Sequence, residues 1–217
     1  HEDFIKRVPV RDYEQIKKYI DRIKNGELGV LWPGKPKYFA KTSGTTSGVK
    51  KIPITNESMP QHILSARNAL LFYIYETQKT AFLNGKTIFI QGSPVLKNIN
   101  GILQGRLSGI VAYHVPSYLR KNNLPTFKTN SIEDWEQKVD KICDETINEN
   151  MTVIGGIPSW VQMYFEKILK KSKKKNLTEI FHDFNLFIYG GVNFSPYKNL
   201  FKDLFAWKIL NPLKPKR

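Results

Sequence analysis

Residues Tyr38 to Thr55 read YFAKTSGTTSGVKKIPIT. An apolar run, Tyr38-Phe39-Ala40, leads through Lys41 into Thr42, Ser43, Gly44, Thr45, Thr46, Ser47, Gly48 and Val49. Lys50 and Lys51 follow, and then Ile52-Pro53-Ile54-Thr55. This order predicts a strand, a hydroxyl-rich loop and a second strand. Gly44 and Gly48 can take positive φ and leave backbone N–H groups uncovered. The loop hydroxyls can donate to phosphate oxygens, and a neighbouring lysine adds a point charge. One reading is a cradle for a polyphosphate. The other is a surface loop with no ligand, because loops are built from the same residue types. The flanking apolar runs and the closing lysine favour the cradle. A Walker A loop needs four residues between its glycines and then Lys-Ser/Thr. Here Thr45, Thr46 and Ser47 alone separate Gly44 from Gly48, and Val49 comes next, which disfavours a P-loop kinase or NTPase.

Upstream, Asp12 can cap a helix with Gln15 as its capping-box partner. Tyr13, Ile16, Ile20 and Ile23 recur at helical spacing, and Gly26 marks the end. Leu31-Trp32-Pro33-Gly34 is a turn-rich connector in which Trp32 is read as a packing residue. Downstream, Asn56 or Ser58 can start a long helix with Pro60 in its first turn. Ile63, Ala66, Leu70, Tyr73 and Ile74 are the predicted buried face. The free N–H groups at its start would face an anion if the chain turned back towards the loop.

One pattern then repeats. Lys86 to Gln91 runs into Gly92-Ser93-Pro94, Met151 to Ile154 into Gly155-Gly156-Ile157-Pro158-Ser159-Trp160, and Leu186 to Tyr189 into Gly190-Gly191-Val192-Asn193-Phe194-Ser195-Pro196. Each is a short apolar strand, a glycine turn and a proline. Helices are predicted from Trp160 to Leu169 and from Pro196 to Phe205, with another capped by Ser131 and carrying Ile132, Trp135, Val139, Ile142 and Cys143 on its apolar face. Ile110-Val111-Ala112 is expected to end a further strand at Tyr113-His114. Buried strands alternating with helices mean an α/β fold with a mostly parallel sheet flanked by helices. Ligands bind such sheets at the carboxyl ends of the strands, where all three glycine turns fall. The phosphate loop and the turns are therefore expected to line one crevice.

The chain has 217 residues and a formal charge of +15, with 41% hydrophobic and 12% aromatic residues. That suits a globular core. No apolar run is long enough to span a membrane, and the charged start lacks the apolar centre of a signal peptide. The single Cys143 excludes an internal disulfide and fits a reducing cytoplasm. The one dense basic block, Lys170, Lys171, Lys173, Lys174 and Lys175, is read first as a solvated helix end rather than a nucleic-acid patch. The four histidines, His1, His62, His114 and His182, are scattered, so no metal site is predicted. His62 is read as a polar helix residue and His114 as a minor candidate for a base. No Gly-x-Ser-x-Gly elbow is present, which disfavours an α/β-hydrolase. Gly190-Gly191 and GGIPSW could each be no more than a strand-to-helix turn, and Trp160 a core residue.

TSGTTSGVKKIPIT resembles the phosphate-binding motif of adenylate-forming enzymes, in the version with Ile-Pro-x-Thr after the lysine that is similar to the auxin-responsive acyl-acid amido synthetases of plants and their bacterial homologues. VPVRDYEQIKKYIDRIKNGE and LWPGKPKYFAKTSGTTSG before it, and GGIPSW and YGGVNFSPY after it, look like that family in the same order, over about residues 1 to 205. The resemblance implies a partial large N-terminal domain over residues 1–205, followed by a basic Pro/Lys tail over 206–217. It implies ATP, with Mg²⁺ held mainly by the phosphates, and two further substrates, a small carboxylic acid and an amine or amino acid. The acid would attack the α-phosphate to give an acyl-adenylate, and the amine would displace AMP.

Thr42, Ser43, Gly44, Thr45, Thr46, Ser47, Gly48, Lys51 and Thr55 are the implied phosphate-binding set. Lys51 matches the motif lysine and is the expected catalytic cation, whereas Lys50 matches a variable position. Each charge-assisted hydrogen bond would be worth roughly 1.5–3 kcal/mol. Gly190, Gly191 and Val192 would lie beside the adenine, and Gly156, Ile157, Pro158 and Trp160 near the acyl pocket. The family's Tyr-x-x-Ser/Ala-Glu motif, its ribose-gripping Asp and its smaller C-terminal domain do not follow here. The expectation is thus an incomplete chain that binds nucleotide weakly and does not turn over alone. A basic nucleic-acid-binding module and a non-catalytic interaction protein are the alternatives.

Overall fold

Asp12 starts the first long helix as its spacing predicts. Its carboxylate accepts from the Gln15 N–H at 2.9 Å while the Gln15 side chain accepts from the Asp12 N–H at 3.1 Å. The computed structural model describes residues 2–42 and 48–206. In chain order the elements are α1 (Glu2–Arg7), α2 (Tyr13–Lys24), β1 (Tyr38–Lys41), β2 (Lys51–Ile54), α3 (Met59–Thr77), β3 (Lys86–Ile90), β4 (Lys97–Ile99), β5 (Ile102–Arg106) and α4 (Leu107–Ala112). They continue with α5 (Ser117–Arg120), β6 (Asn123–Leu124), α6 (Phe127–Asn130), α7 (Trp135–Thr146), β7 (Met151–Gly156), α8 (Pro158–Ser172), β8 (Leu186–Tyr189) and α9 (Lys198–Leu204). The chain forms two compact units, residues 1–62 with 95–111, and residues 63–94 with 112–217.

The first unit holds a four-stranded sheet in the order β2-β1-β5-β4. β1 is antiparallel to β2 and parallel to β5, and β4 is antiparallel to β5. Ile20 and Ile23 of α2 bury against Phe39 and Ile102, with Tyr13, Val30 and Trp32 packed around them. Trp32 is thus a packing residue, as expected. The β4–β5 hairpin turns at Asn100-Gly101, both with positive φ (52° and 75°), which suits the right-handed twist of the paired strands.

The second unit holds an all-parallel sheet in the order β6-β3-β7-β8. The three repeats of the sequence pattern are its adjacent strands β3, β7 and β8. Their last residues lie in one row, Ile90 opposite Gly156 and Gly156 opposite Tyr189, so the three turns leave the same sheet edge. One face buries Ile88, Ile90 and Ile154 against Val139, Ile142 and Cys143 of α7, Val161, Tyr164, Phe165 and Ile168 of α8, and Phe201 of α9.

Three expectations need correction. Ser131 does not cap α7; Asp134 does, its side chain accepting from the Gln137 N–H at 2.8 Å. Ser131 ends the preceding turn, donating its hydroxyl to the Phe127 carbonyl. Ile110-Val111-Ala112 is not a strand but the end of helix α4, with Ile110 buried. Leu107, Ile110 and Val111 fall at i, i+3 and i+4, which suits a helix. The predicted buried face of α3 is only partly covered: Met59 is its sole buried residue, Ile63, Leu70, Tyr73 and Ile74 are half-buried, and Ala66 is exposed. The physical reason is that α3 carries apolar residues around its whole circumference, with Leu64, Leu71, Phe72 and Tyr75 all exposed, so no single stripe sets its orientation.

Candidate functional site

β1 and β2 form the arms of a hairpin, and their pairing continues one step past the strands. The Thr42 N–H donates to the Lys50 carbonyl at 3.0 Å, and the Lys50 N–H donates to the Thr42 hydroxyl oxygen at 3.1 Å. Among the described residues the Thr42 hydroxyl only accepts, and its own proton can still be donated. Gly48 sits at φ +76°, which an L side chain rarely adopts, so the glycine is required by the turn itself. Ser43, Gly44, Thr45, Thr46 and Ser47 lie outside the described residues.

Lys51 opens β2 at the base of the loop. Its N–H donates to the Tyr13 hydroxyl at 2.9 Å, which ties the start of α2 to the hairpin. Lys50 lies 5.5 Å from the centre of the Tyr13 ring. The Lys51 ammonium is pushed below its ordinary range, first by burial and then by the neighbouring Lys24 and Lys41 charges, with Asp21 opposing. Asp21 is itself taken up by an ion pair with Lys24 at 2.7 Å. Among the described residues Lys51 belongs to no ion pair. Thr55 is engaged differently. Its hydroxyl oxygen accepts from the Ser58 N–H at 3.0 Å, and its own N–H donates to the Ser58 hydroxyl at 3.0 Å, a reciprocal pair that leads the chain into α3.

Lys51 pairs with Lys41 across the hairpin, and Lys41 pairs with Arg106 across the parallel β1–β5 ladder. Residues in register project to the same face of a sheet, so three cations from three strands stand in one row. Arg106 was invisible to the sequence reading because its place depends on a register between strands some sixty residues apart. The Asn100-Gly101 turn before it is a local sign of a hairpin whose second strand carries it.

Gly156, Ile157, Pro158, Trp160, Gly190, Gly191 and Val192 lie in the second unit, at the carboxyl edge shared by β7 and β8 or just beyond it. A Cβ on Gly156 would meet Val161 Cγ2 at 2.9 Å and the Ile90 carbonyl oxygen at 3.0 Å, so this glycine lets α8 and β3 close onto β7. Ile157 is the N-cap of α8 and the buried Pro158 its first residue. Trp160 is half-buried against Trp135, the ring centres 4.7 Å apart, in the role of a core residue. Gly191 has φ +84° and approaches Ile157, a Cβ there falling 3.8 Å from Ile157 Cγ1, which makes the β7 and β8 turns neighbours. Among the described residues nothing lies within 4 Å of a Cβ added to Gly190, and Val192 is exposed. Tyr189, also exposed, stacks on Phe194 with centres 4.6 Å apart.

Among the described residues no group of His, Cys, Asp or Glu is arranged to hold a metal ion, and no helix is long and apolar enough to cross a membrane. Two lysines of the basic helix end and its approach are paired with acids. Lys171 is bonded to Asp144, and Lys167 lies 3.0 Å from Glu136 and 3.1 Å from Asp140. Lys173, with φ 57°, ends α8 in the left-handed conformation.

The architecture is that of an α/β protein with a lysine-based loop on one sheet and a row of glycine corners on a second. The chain belongs to the GH3 family: the GH3 family N-terminal domain matches residues 1–120. It is 35% identical over 116 residues to an indole-3-acetic acid-amido synthetase of Arabidopsis thaliana, a match covering 45% of this chain and 19% of that protein. To a jasmonoyl-L-amino acid synthetase of Nicotiana attenuata it is 28% identical over 100 residues, covering 45% of this chain and 17% of that protein. The chain thus spans about a fifth of the length of these relatives. Among solved structures, the GH3.15 acyl acid amido synthetase shares the fold with a TM-score of 0.57 at 22% identity, over 79% of this chain and 32% of that one. A structure of the same synthetase in complex with 2,4-DB gives a TM-score of 0.52 at 22% identity, over 78% of this chain and 32% of that one.

Proposed function

We propose that this protein binds ATP at the β1–β2 loop and serves ATP-dependent acyl-acid amido synthesis, in which a small carboxylic acid is activated as its acyl-adenylate and passed to an amine or amino acid. The observation that carries the proposal is Lys51, which among the described residues forms no ion pair and stands at the base of the loop, in a chain that belongs to a family whose named relatives are amido synthetases. A cation that is partly buried and repelled by its neighbours gains most when an anion arrives. The residues present therefore suit a polyphosphate.

ATP supplies the adenylyl group and the pyrophosphate leaving group, and Mg²⁺ accompanies the phosphates. The chain's part is to position and to neutralise charge. Lys51 offsets phosphate charge, the Thr42 hydroxyl donates its remaining proton, and Gly48 leaves backbone exposed. Ser43, Gly44, Thr45, Thr46 and Ser47 complete the cradle, and Thr55 holds the hairpin's exit against α3. Gly190, Gly191 and Val192 take the adenine side, and Gly156, Ile157, Pro158 and Trp160 shape the acyl side. The single, buried Cys143 fits a cytoplasmic protein.

Thermal denaturation with MgATP tests the proposal. ATP at about a hundred times its Kd should add about 2.7 kcal/mol of stability, read as a higher Tm, and AMP at equal concentration should do less. A Tm indifferent to ATP across the millimolar range would overturn it. Should RNA raise the Tm instead, in a manner that fades with salt, the basic-module alternative takes its place.

A further inference from the structure

Lys51, Lys41 and Arg106 occupy consecutive strands β2, β1 and β5 in a single register row. Like charges directly opposite one another destabilise a sheet, so such a row persists at a cost unless something anionic lies against it. Acids could have served. Yet among the described residues none of the three is in an ion pair. Lys41 and Lys51 are half-buried and Arg106 is exposed, so the row opens to solvent at one end. The Lys41 charge is one of the influences that hold the Lys51 ammonium down.

The row also has a definite place. Lys41 and Arg106 are the last residues of the parallel strands β1 and β5, and α/β sheets receive ligands at the carboxyl ends of parallel strands. Neighbouring strands lie about 4.8 Å apart, so the three backbones spread their cations over roughly 10 Å. The long side chains can close that span onto one polyanion. A carboxylate, with one charge, would leave two of the cations uncompensated; a di- or triphosphate matches all of them.

We propose that Lys41 and Arg106 act with Lys51 as a three-strand clamp for the pyrophosphate portion of the nucleotide, so that phosphate recognition extends beyond the loop to the ends of β1 and β5. Resting on the nucleotide function proposed above, this assigns two further binding residues to that site. Arg106 contributes the planar fork suited to bidentate contact with phosphate, and the lysines contribute point charges.

The probe is inorganic pyrophosphate with Mg²⁺, titrated calorimetrically into the purified protein, into Lys41→Gln and into Arg106→Gln. Lys174→Gln, an exposed lysine outside the row, controls for net charge. Each row variant should bind pyrophosphate roughly tenfold or more weakly, with Lys174→Gln unchanged and Arg106→Lys recovering part of the loss. Without ligand and at low salt, Lys41→Gln and Arg106→Gln should melt at or above the parent Tm, because like-charge repulsion has been removed. That unliganded measurement also shows that the variants fold. Equal pyrophosphate affinity in parent and row variants would overturn the clamp and leave the nucleotide function standing. So would a parent that binds ATP but not pyrophosphate. A parent that binds neither overturns both.

Discussion

Replacing Gly156 by alanine tests the packing at the carboxyl edge of the parallel sheet. The new methyl group would sit 2.9 Å from Val161 Cγ2, 3.0 Å from the Ile90 carbonyl oxygen and 3.3 Å from Ile90 Cβ. Val161 is fully buried on α8, and the Ile90 oxygen is backbone of β3, so neither can swing aside. Overpacking of this kind costs about 1–3 kcal/mol, against which the reduced chain entropy of alanine returns about 0.5 kcal/mol. The net expectation is a loss of about 0.5–2.5 kcal/mol. Gly155 is the internal comparison. Its added methyl would meet Phe89 ring carbons at 2.6 and 2.7 Å, but Phe89 is 41% exposed and its ring can rotate outward. Gly155→Ala should therefore fall within about 0.5 kcal/mol of the parent. Urea unfolding followed by tryptophan fluorescence is a suitable assay, since Trp135 and Trp160 report on this unit. A Gly156→Ala protein as stable as the parent, or a Gly155→Ala protein that is the more damaged of the two, would refute the assignment of Gly156 as the residue that lets β3 and α8 close.

Lys138 is only 2% exposed, and its ammonium donates to the Gln91 and Asn130 carbonyls at 2.9 and 2.6 Å. Lys138→Met should lower the unfolding free energy by about 2–4 kcal/mol, because it strips charge-assisted hydrogen bonds from buried acceptors; an unchanged urea midpoint would contradict this. Burial pushes the Cys143 thiol up to about 12. In the folded protein it should ignore a thiol reagent at pH 8 and react only on unfolding. The sign of its effect on stability follows. The folded thiol keeps its proton where the unfolded one loses it, so its contribution is intact below about pH 9 and shrinks as the pH climbs towards 12. A urea midpoint that rises over that interval in the parent relative to Cys143→Ala would contradict it.

Much of the fold was legible because local chemistry and tertiary packing agreed. The Asp12-Gln15 box, β8 over Leu186–Tyr189, and the two arms of the β1–β2 hairpin stand where periodicity and capping put them. The strand–glycine–proline repeat reads as parallel strands, and the structure pairs them so, while their adjacency in the sheet comes from the structure alone. Errors arose where one signal fitted two structures. Ser131 and Asp134 are both good caps, and only the preceding turn of α6, which Ser131 ends, decides between them. The apolar run at Ile110 was too short for its period to separate strand from helix. The β4–β5 hairpin went unread although Asn100-Gly101 is a strong turn signal. At the site, Lys51 could be picked from a local motif. Lys41 and Arg106 could not, because the row they share exists only once β5 is laid beside β1.

Calorimetric titration of MgATP into the protein and into Lys51→Ala tests the central claim most directly. Saturable binding at one site, weakened roughly tenfold to a hundredfold by the loss of a charge-assisted contact worth about 1.5–3 kcal/mol, is the predicted result. ATP that fails to bind the parent, or binds Lys51→Ala with the parent's affinity, would contradict it.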